Sequence, residues 1–158
     1  MNEFKSSNPD ANFSHGAEWV RADFHLHTKA DKQFNYTDDP NYYNSNYVEA
    51  LQKAGIRLGV ITNHNKFDYD EFKALRSTAK KQGINLLPGV GLSVNDGANG
   101  IHTLIVFSEQ WLANGENHIN PFLTVSFKGK IPQQYENENG DTDGEEVAAT
   151  IPLTRPST

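Results

Sequence analysis

Short runs of Val, Ile and Leu alternate along this chain with segments of helical periodicity, and that alternation decides which folds are open to it. Val20 to His27 is bounded by polar segments and suits a buried strand that ends in a loop. Tyr47, Val48, Leu51 and Ala54 then recur at helical spacing, with Asn44 or Ser45 able to cap the start and Gly55 the end. Ile56 to Thr62 is a second short buried strand. Asp68 opens a second helix, with Glu71 three residues on in the pattern of a capping box. Phe72, Leu75 and Ala79 form its inner face, and Gly83 closes it. A third strand runs from Ile84 through Val94, interrupted at Pro88-Gly89, and a fourth runs from Ile101 to Phe107. The spacing thus predicts helices near 45–54 and 68–82 within an α/β fold built on a parallel sheet. The short turn from Asn95 to Gly100 leaves an antiparallel pairing of the last strand open.

The 158 residues allow one domain with a modest core. Residues 1–17 are polar and read as a flexible lead-in. Lys29 to Asn44 reads as a long loop, and such loops in compact domains are often functional. After Phe127 the pattern fades into Gly, Pro, Gln, Asn and acids, so 18–127 is the expected domain and 128–158 an acidic, disordered tail. The chain carries a net charge of −6. Six acids and one base between Ile131 and Thr158 give −5, so residues 1–130 are nearly neutral. The overall balance argues against nonspecific nucleic-acid binding by the chain as a whole. There is no cysteine, so any metal must sit on His, Asp or Glu. No apolar run is long enough for a membrane span or a signal-peptide core; the expectation is a cytoplasmic location with no membrane partner.

Polar residues cluster after the strands, where α/β folds build their sites. His25 and His27 lie two apart, so on a strand both imidazoles project to one side and can converge on one cation. Asp23 is close enough to join them or to orient them. The plainer account is a polar strand end with two surface histidines. His64 follows the second strand and should open at the same rim. His102 opens the fourth strand, while His15 and His118 read as exposed. No serine-nucleophile signature occurs, and Gly89-Val90-Gly91 is not followed by the glycine-rich helix start of a dinucleotide site.

These residues carry a family likeness. Asp23-Phe24-His25-Leu26-His27-Thr28 resembles the first motif of the PHP (polymerase and histidinol phosphatase) superfamily. Ile61-Thr62-Asn63-His64-Asn65 resembles its second motif, usually Thr-Asp-His. Leu87-Pro88-Gly89-Val90-Gly91-Leu92-Ser93 resembles its third, usually Pro-Gly-Val-Glu, and Gly100-Ile101-His102-Thr103-Leu104 the next strand. Order and spacing fit across residues 18–107. The segment Gly16-Ala17-Glu18-Trp19 and the long loop are similar to a subgroup in which a PHP domain precedes an ABC/SMC-like ATPase. No Walker motif occurs here.

The resemblance implies an incomplete, distorted β/α barrel with about four of the family's seven strands. It implies a metal-dependent phosphoesterase acting on phosphomonoesters or phosphodiesters, nucleic acid among them, with two or three Zn, Mn or Fe ions. His25, His27, His64, His102 and, more weakly, Asp31 would ligate the metals. Asp23 and Asn63 are the candidates for a catalytic part. A phosphorylated small molecule or nucleic acid would be the substrate, and a C-terminal ATPase the partner in a full-length relative. Three departures matter. Gly91 replaces a glutamate that bridges two metals, so a gap in the cluster is expected, and Gly91→Glu should tighten metal binding. Asn63 replaces an aspartate. The later motifs, including an Asp-x-His, are missing, and four strands cannot close a barrel. The expectation is therefore an impaired enzyme. The alternative is a truncated or degenerate domain acting as a non-catalytic metal-binding or interaction module.

Overall fold

β1 (Arg21–Leu26), α1 (Tyr43–Lys53), β2 (Ile56–Ile61), α2 (Tyr69–Lys81), β3 (Asn85–Val94) and β4 (Ile101–Val106) follow one another as the apolar pattern requires. The computed structural model describes residues 19–94 and 101–129, together with the backbone of 132–136 and 142–147. The expectations for the lead-in 1–17 and the turn 95–100 lie outside the described residues.

The strands form one sheet in the order β1-β2-β3-β4. β1 pairs parallel with β2, and β2 parallel with β3. β4 returns antiparallel against β3, with Gly91 opposite Leu104 and Ser93 opposite His102. With its flanking helices this is an incomplete, curled half-barrel, in keeping with a distorted partial PHP-type barrel. β3 runs unbroken through Pro88-Gly89, contrary to the expected interruption. The β2–β3 ladder ends at the pair Ile61–Pro88, so the proline's missing N–H removes no later bond of that ladder. A Cβ on Gly89 would lie 2.6 Å from Val60 Cγ1 and 2.8 Å from the Ile105 carbonyl, so only glycine lets the strands approach this closely.

Val48 and Leu51 of α1 and Phe72, Leu75 and Ala79 of α2 pack in one core with Leu86, Val90 and Leu92 of β3. Gly55 and Gly83 end the two helices at φ of 72° and 69°, a left-handed conformation that glycine adopts without strain. α1 starts earlier than expected, so neither Asn44 nor Ser45 caps it. A 3-10 turn over Pro40–Tyr42 leads into it, and Asp39 caps that turn by accepting the Asn41 N–H at 2.9 Å.

Past β4, α3 (Ile119–Phe127) buries Ile119 and Leu123. Phe107, Trp111 and Phe122 cluster beside it, with ring centroids 4.9 to 5.9 Å apart. Asn120-Pro121 looks like loop sequence, yet proline is tolerated in a first helical turn, where its N–H would have no partner. β5 (Pro132–Glu136) and β6 (Thr142–Val147) pair antiparallel in a separate two-stranded sheet. The expectation for the rest of the tail, residues 130–131, 137–141 and 148–158, lies outside the described residues. No helix among the described residues is long and apolar enough to cross a membrane.

Leu75 is 0% exposed and Leu104 37%. Urea denaturation should show Leu75→Ala losing about 2–5 kcal/mol of stability, and Leu104→Ala a much smaller loss. Equal losses would contradict this assignment of the core.

Candidate metal centre

β1 delivers His25 and, just past its end, His27, with ring centroids 4.7 Å apart. His64 comes from the segment after β2, which stays stitched to β3. Gly91 N–H donates to the Asn63 carbonyl at 3.1 Å, and Asn65 N–H donates to the Gly91 carbonyl at 2.7 Å. Asn65 makes the turn at φ 51°, a conformation asparagine tolerates better than most residues. Its side chain holds Ser93 by accepting the Ser93 N–H at 2.9 Å and donating to Ser93 Oγ at 3.2 Å. Ser93 in turn lies opposite His102 of β4. The four imidazoles close a circuit. His27 stacks on His64 at 4.7 Å and 15°, His64 meets His102 edge-on at 4.8 Å, and His102 returns to His25 at 5.4 Å.

Asp31 anchors one side of this circuit. Its Oδ2 lies 2.8 Å from His27 Nδ1 and 3.0 Å from His64 Nδ1, and accepts the His64 backbone N–H at 2.7 Å. Oδ1 accepts the Gln33 N–H at 2.9 Å. Burial acts to raise the Asp31 pKa, but the hydrogen bonds from Gln33, His64 and His27 outweigh it and bring it down to about 2. The carboxylate is therefore ionised and can only accept, so both rings present Nδ1–H to it. Each neutral ring then keeps its Nε2 lone pair for a metal. At His102, burial first and the imidazoles of His64, His25 and His27 next lower the pKa, which also favours a neutral ring.

The loop carrying Asp31 is fixed from behind. Thr28 N–H donates to Asn63 Oδ1 at 2.8 Å, and Asn63 Nδ2 donates to Thr28 Oγ1 at 2.8 Å. Thr28 Oγ1 donates to Glu71 Oε2 at 2.5 Å. Tyr43 accepts the Lys29 N–H at 3.0 Å, and Tyr47 donates to the His27 carbonyl at 3.0 Å. Burial pushes both phenol pKa values upward, so they stay protonated. Asp68 caps α2 as expected, accepting the Glu71 N–H at 3.0 Å. The Glu71 carboxylate, however, reaches across to Thr28 and Ala30. Glu71 is thus a site-supporting residue that the capping-box pattern concealed.

His25, His27, His64, His102 and Asp31 are brought together. Asp23 lies at the edge of the group, its Oδ1 accepting the His25 N–H at 2.9 Å. Asn63 is buried, and both ends of its amide engage Thr28. His118 is exposed and pairs with Glu116 at 3.0 Å; His15 lies outside the described residues. The expected gap at Gly91 is not there. A Cβ on Gly91 would lie 2.5 Å from His102 Nε2 and 3.1 Å from the Thr62 carbonyl, because the His102 imidazole already occupies the space above the glycine.

The donor set fits a divalent ion. His27, Asp31 and His64 offer ligand atoms that all lie within 4.8 Å of one another, and two imidazoles with a carboxylate are a common catalytic ligand set. No protein-family model matches the chain. No curated protein matches it. A solved structure of a candidate metal-dependent phosphoesterase from Bifidobacterium adolescentis is similar to it, with 19% identity and a TM-score of 0.47. The similarity covers 69% of this chain and 34% of that one, so this chain spans about a third of that protein's length.

Two outcomes follow from the geometry. Gly91→Ala adds only the Cβ that must displace His102. It should weaken Zn²⁺ affinity, read by calorimetry, about as much as His102→Ala does; an unchanged affinity would show that His102 takes no part. A carboxyl held low in the folded state stabilises the fold at neutral pH, and that contribution is lost as pH falls from about 4 to about 2. Over this window, thermal unfolding should fall more steeply with pH for the original chain than for Asp31→Asn, and parallel profiles would refute the role given to Asp31.

Proposed function

We propose that residues 18–127 form a PHP-type metal-dependent phosphoesterase module whose hydrolytic power is weak in this chain. One observation carries the reading: the closed circuit of four imidazoles, anchored on one side by ionised Asp31, at the strand ends of a partial barrel. His27 and His64 would hold a divalent ion through Nε2, with Asp31 orienting them through Nδ1; with the tautomers reversed, Asp31 and the two Nδ1 atoms would form the ligand set instead. His25 and His102 would complete that site or hold a second ion, where the family resemblance implies two or three.

A bound ion supplies Lewis acidity toward a phosphoryl oxygen and lowers the pKa of water. The protein's own part is positional. The Thr28–Asn63–Glu71 network keeps the Asp31 loop in place, Asp31 sets the tautomers, and Asp23 braces the His25 backbone. In this proposal Asn63 acts through Thr28 and not as a proton carrier, since its amide cannot titrate. Four imidazoles with one carboxylate suit Zn or Fe better than Mg or Ca. The substrate class is a phosphomonoester or phosphodiester. The ATPase-linked setting and a cytoplasmic location remain part of the same proposal and rest on the sequence resemblance.

A second reading has its own support. Gly91 and Asn63 remove two carboxylates, leaving little acid or base for turnover, and this favours a metal-binding module without catalysis. The deciding experiment is calorimetric titration with Zn²⁺ and Mn²⁺, run beside hydrolysis of p-nitrophenyl phosphate and bis-p-nitrophenyl phosphate. The proposed enzyme should bind metal, hydrolyse one of these esters slowly, and lose both properties in a His27→Ala, His64→Ala variant. Metal binding without metal-dependent hydrolysis would select the non-catalytic module. Affinity unchanged by the double substitution would remove the site altogether.

A further inference from the structure

A cleft of about 490 Å³ opens beside the imidazole circuit, with His25 and His27 forming one wall. Phe34, Tyr36, Tyr43 and Tyr47 face them, and the polar groups within reach are Asp38 and Asn46. These four aromatic residues come from the long loop and the start of α1, and none is among the proposed metal ligands. Tyr36 and Tyr43 pack edge to face at 4.9 Å, while the Tyr43 and Tyr47 rings, 5.8 Å apart, are tilted by 49°, and Phe34 lies 6.1 Å from Tyr47.

The phenol groups are tied down, so the rings are set before any ligand arrives. Tyr36 accepts from Asn46 Nδ2 at 3.1 Å and donates to the Asp39 carbonyl at 3.3 Å. Tyr43 and Tyr47 are held by Lys29 and His27. A fixed aromatic wall rewards a flat ring, which stacks or packs edge-on at little entropic cost. The volume falls within the range of about 300–1,000 Å³ usual for small-molecule sites. Asp38 lines this wall, and Lys29 Nζ lies 4.6 Å from the centroid of the Tyr43 ring; Asp38 repels a second anionic group and accepts a hydrogen bond from a ring amine or ring N–H.

We propose that this cleft takes the planar aromatic part of a phosphoester whose phosphoryl group lies at the imidazole circuit. The inference rests on the phosphoesterase reading and narrows its substrate to aryl or nucleobase-bearing esters, uncharged or cationic in the ring. Tyr36 is the specificity-determining residue. It is half-buried and belongs to the cleft, and its hydroxyl bonds to Asn46 and the Asp39 carbonyl.

The test is calorimetry on the Zn²⁺-loaded chain with phenyl phosphate, adenosine 5′-monophosphate and glycerol 1-phosphate. Both aromatic esters should bind roughly fivefold to tenfold more tightly than the glycerol ester. Tyr36→Leu should erase that preference while Tyr36→Phe keeps it, and neither should change Zn²⁺ affinity. Asp38→Asn separates the sources: weaker binding of the adenine ester alone identifies a nucleobase ligand, and no effect on either identifies a plain aryl group. Equal affinity for all three esters with Zn²⁺ bound would overturn this proposal and leave the phosphoesterase reading standing. A preference that survives Tyr36→Leu would overturn it too. Failure to bind Zn²⁺ would overturn both.

Discussion

The Asp31 carboxylate is the contact on which the rest of the site depends. It is buried, yet it keeps its charge because two backbone N–H groups and two imidazoles donate to it. A buried carboxylate without such donors would take up a proton, and the rings would lose the acceptor that fixes their tautomers. Two of these four hydrogen bonds, both from His64, tie the loop after β1 to the segment after β2. A single side chain therefore couples two strand ends that the sheet alone would only place side by side.

Behind Asp31 lies a layer of side chains that hydrogen-bond to one another and to the loop backbone. Thr28 donates to Glu71 and accepts from Asn63, so its hydroxyl joins the β1 loop, the β2 end and the first turn of α2. Tyr43 and Tyr47 fasten the same loop to α1 through backbone contacts. The two helices thus do more than cover the sheet. They set the position of the loop that carries Asp31, and packing defects in α1 or α2 will reach the metal centre through these bonds.

The sheet was legible because β2 and β3 are apolar and the first three strands are separated by helices with clear ends. Leu75, Gly55 and Gly83 behave as their local pattern demands. The convergence of His25, His27 and His64 could also be anticipated, since parallel neighbours deliver their following residues to one rim. Glu71 was hidden because a capping box and a long-range carboxylate contact share the same spacing. α3 was hidden because Asn120-Pro121 resembles a loop. Gly91 misled in another way. Its lack of a side chain looked like a lost ligand, whereas its small size admits the imidazole of His102 from the opposing strand, a contact set by antiparallel register and invisible to local pattern.

That exchange bears on what the centre can be. On the proposed reading, in which Gly91 stands where the PHP family carries a bridging carboxylate, this chain has an imidazole packed over glycine, its pKa lowered by burial. The site therefore holds less negative charge with which to attract a cation, and it offers softer donors. Hard oxygen-seeking ions lose most from this change, and ions that accept nitrogen ligands lose least. A carboxylate that bridges two ions also offsets their mutual repulsion, and imidazole, which ligates through one lone pair, cannot do so. The proposed site thus favours one well-held ion over a cluster. It favours water activation at a single centre over the two-ion clamp that stabilises both attacking and leaving oxygens. Weak hydrolysis is the expected consequence of that difference, and it follows from the space above Gly91 rather than from a missing histidine.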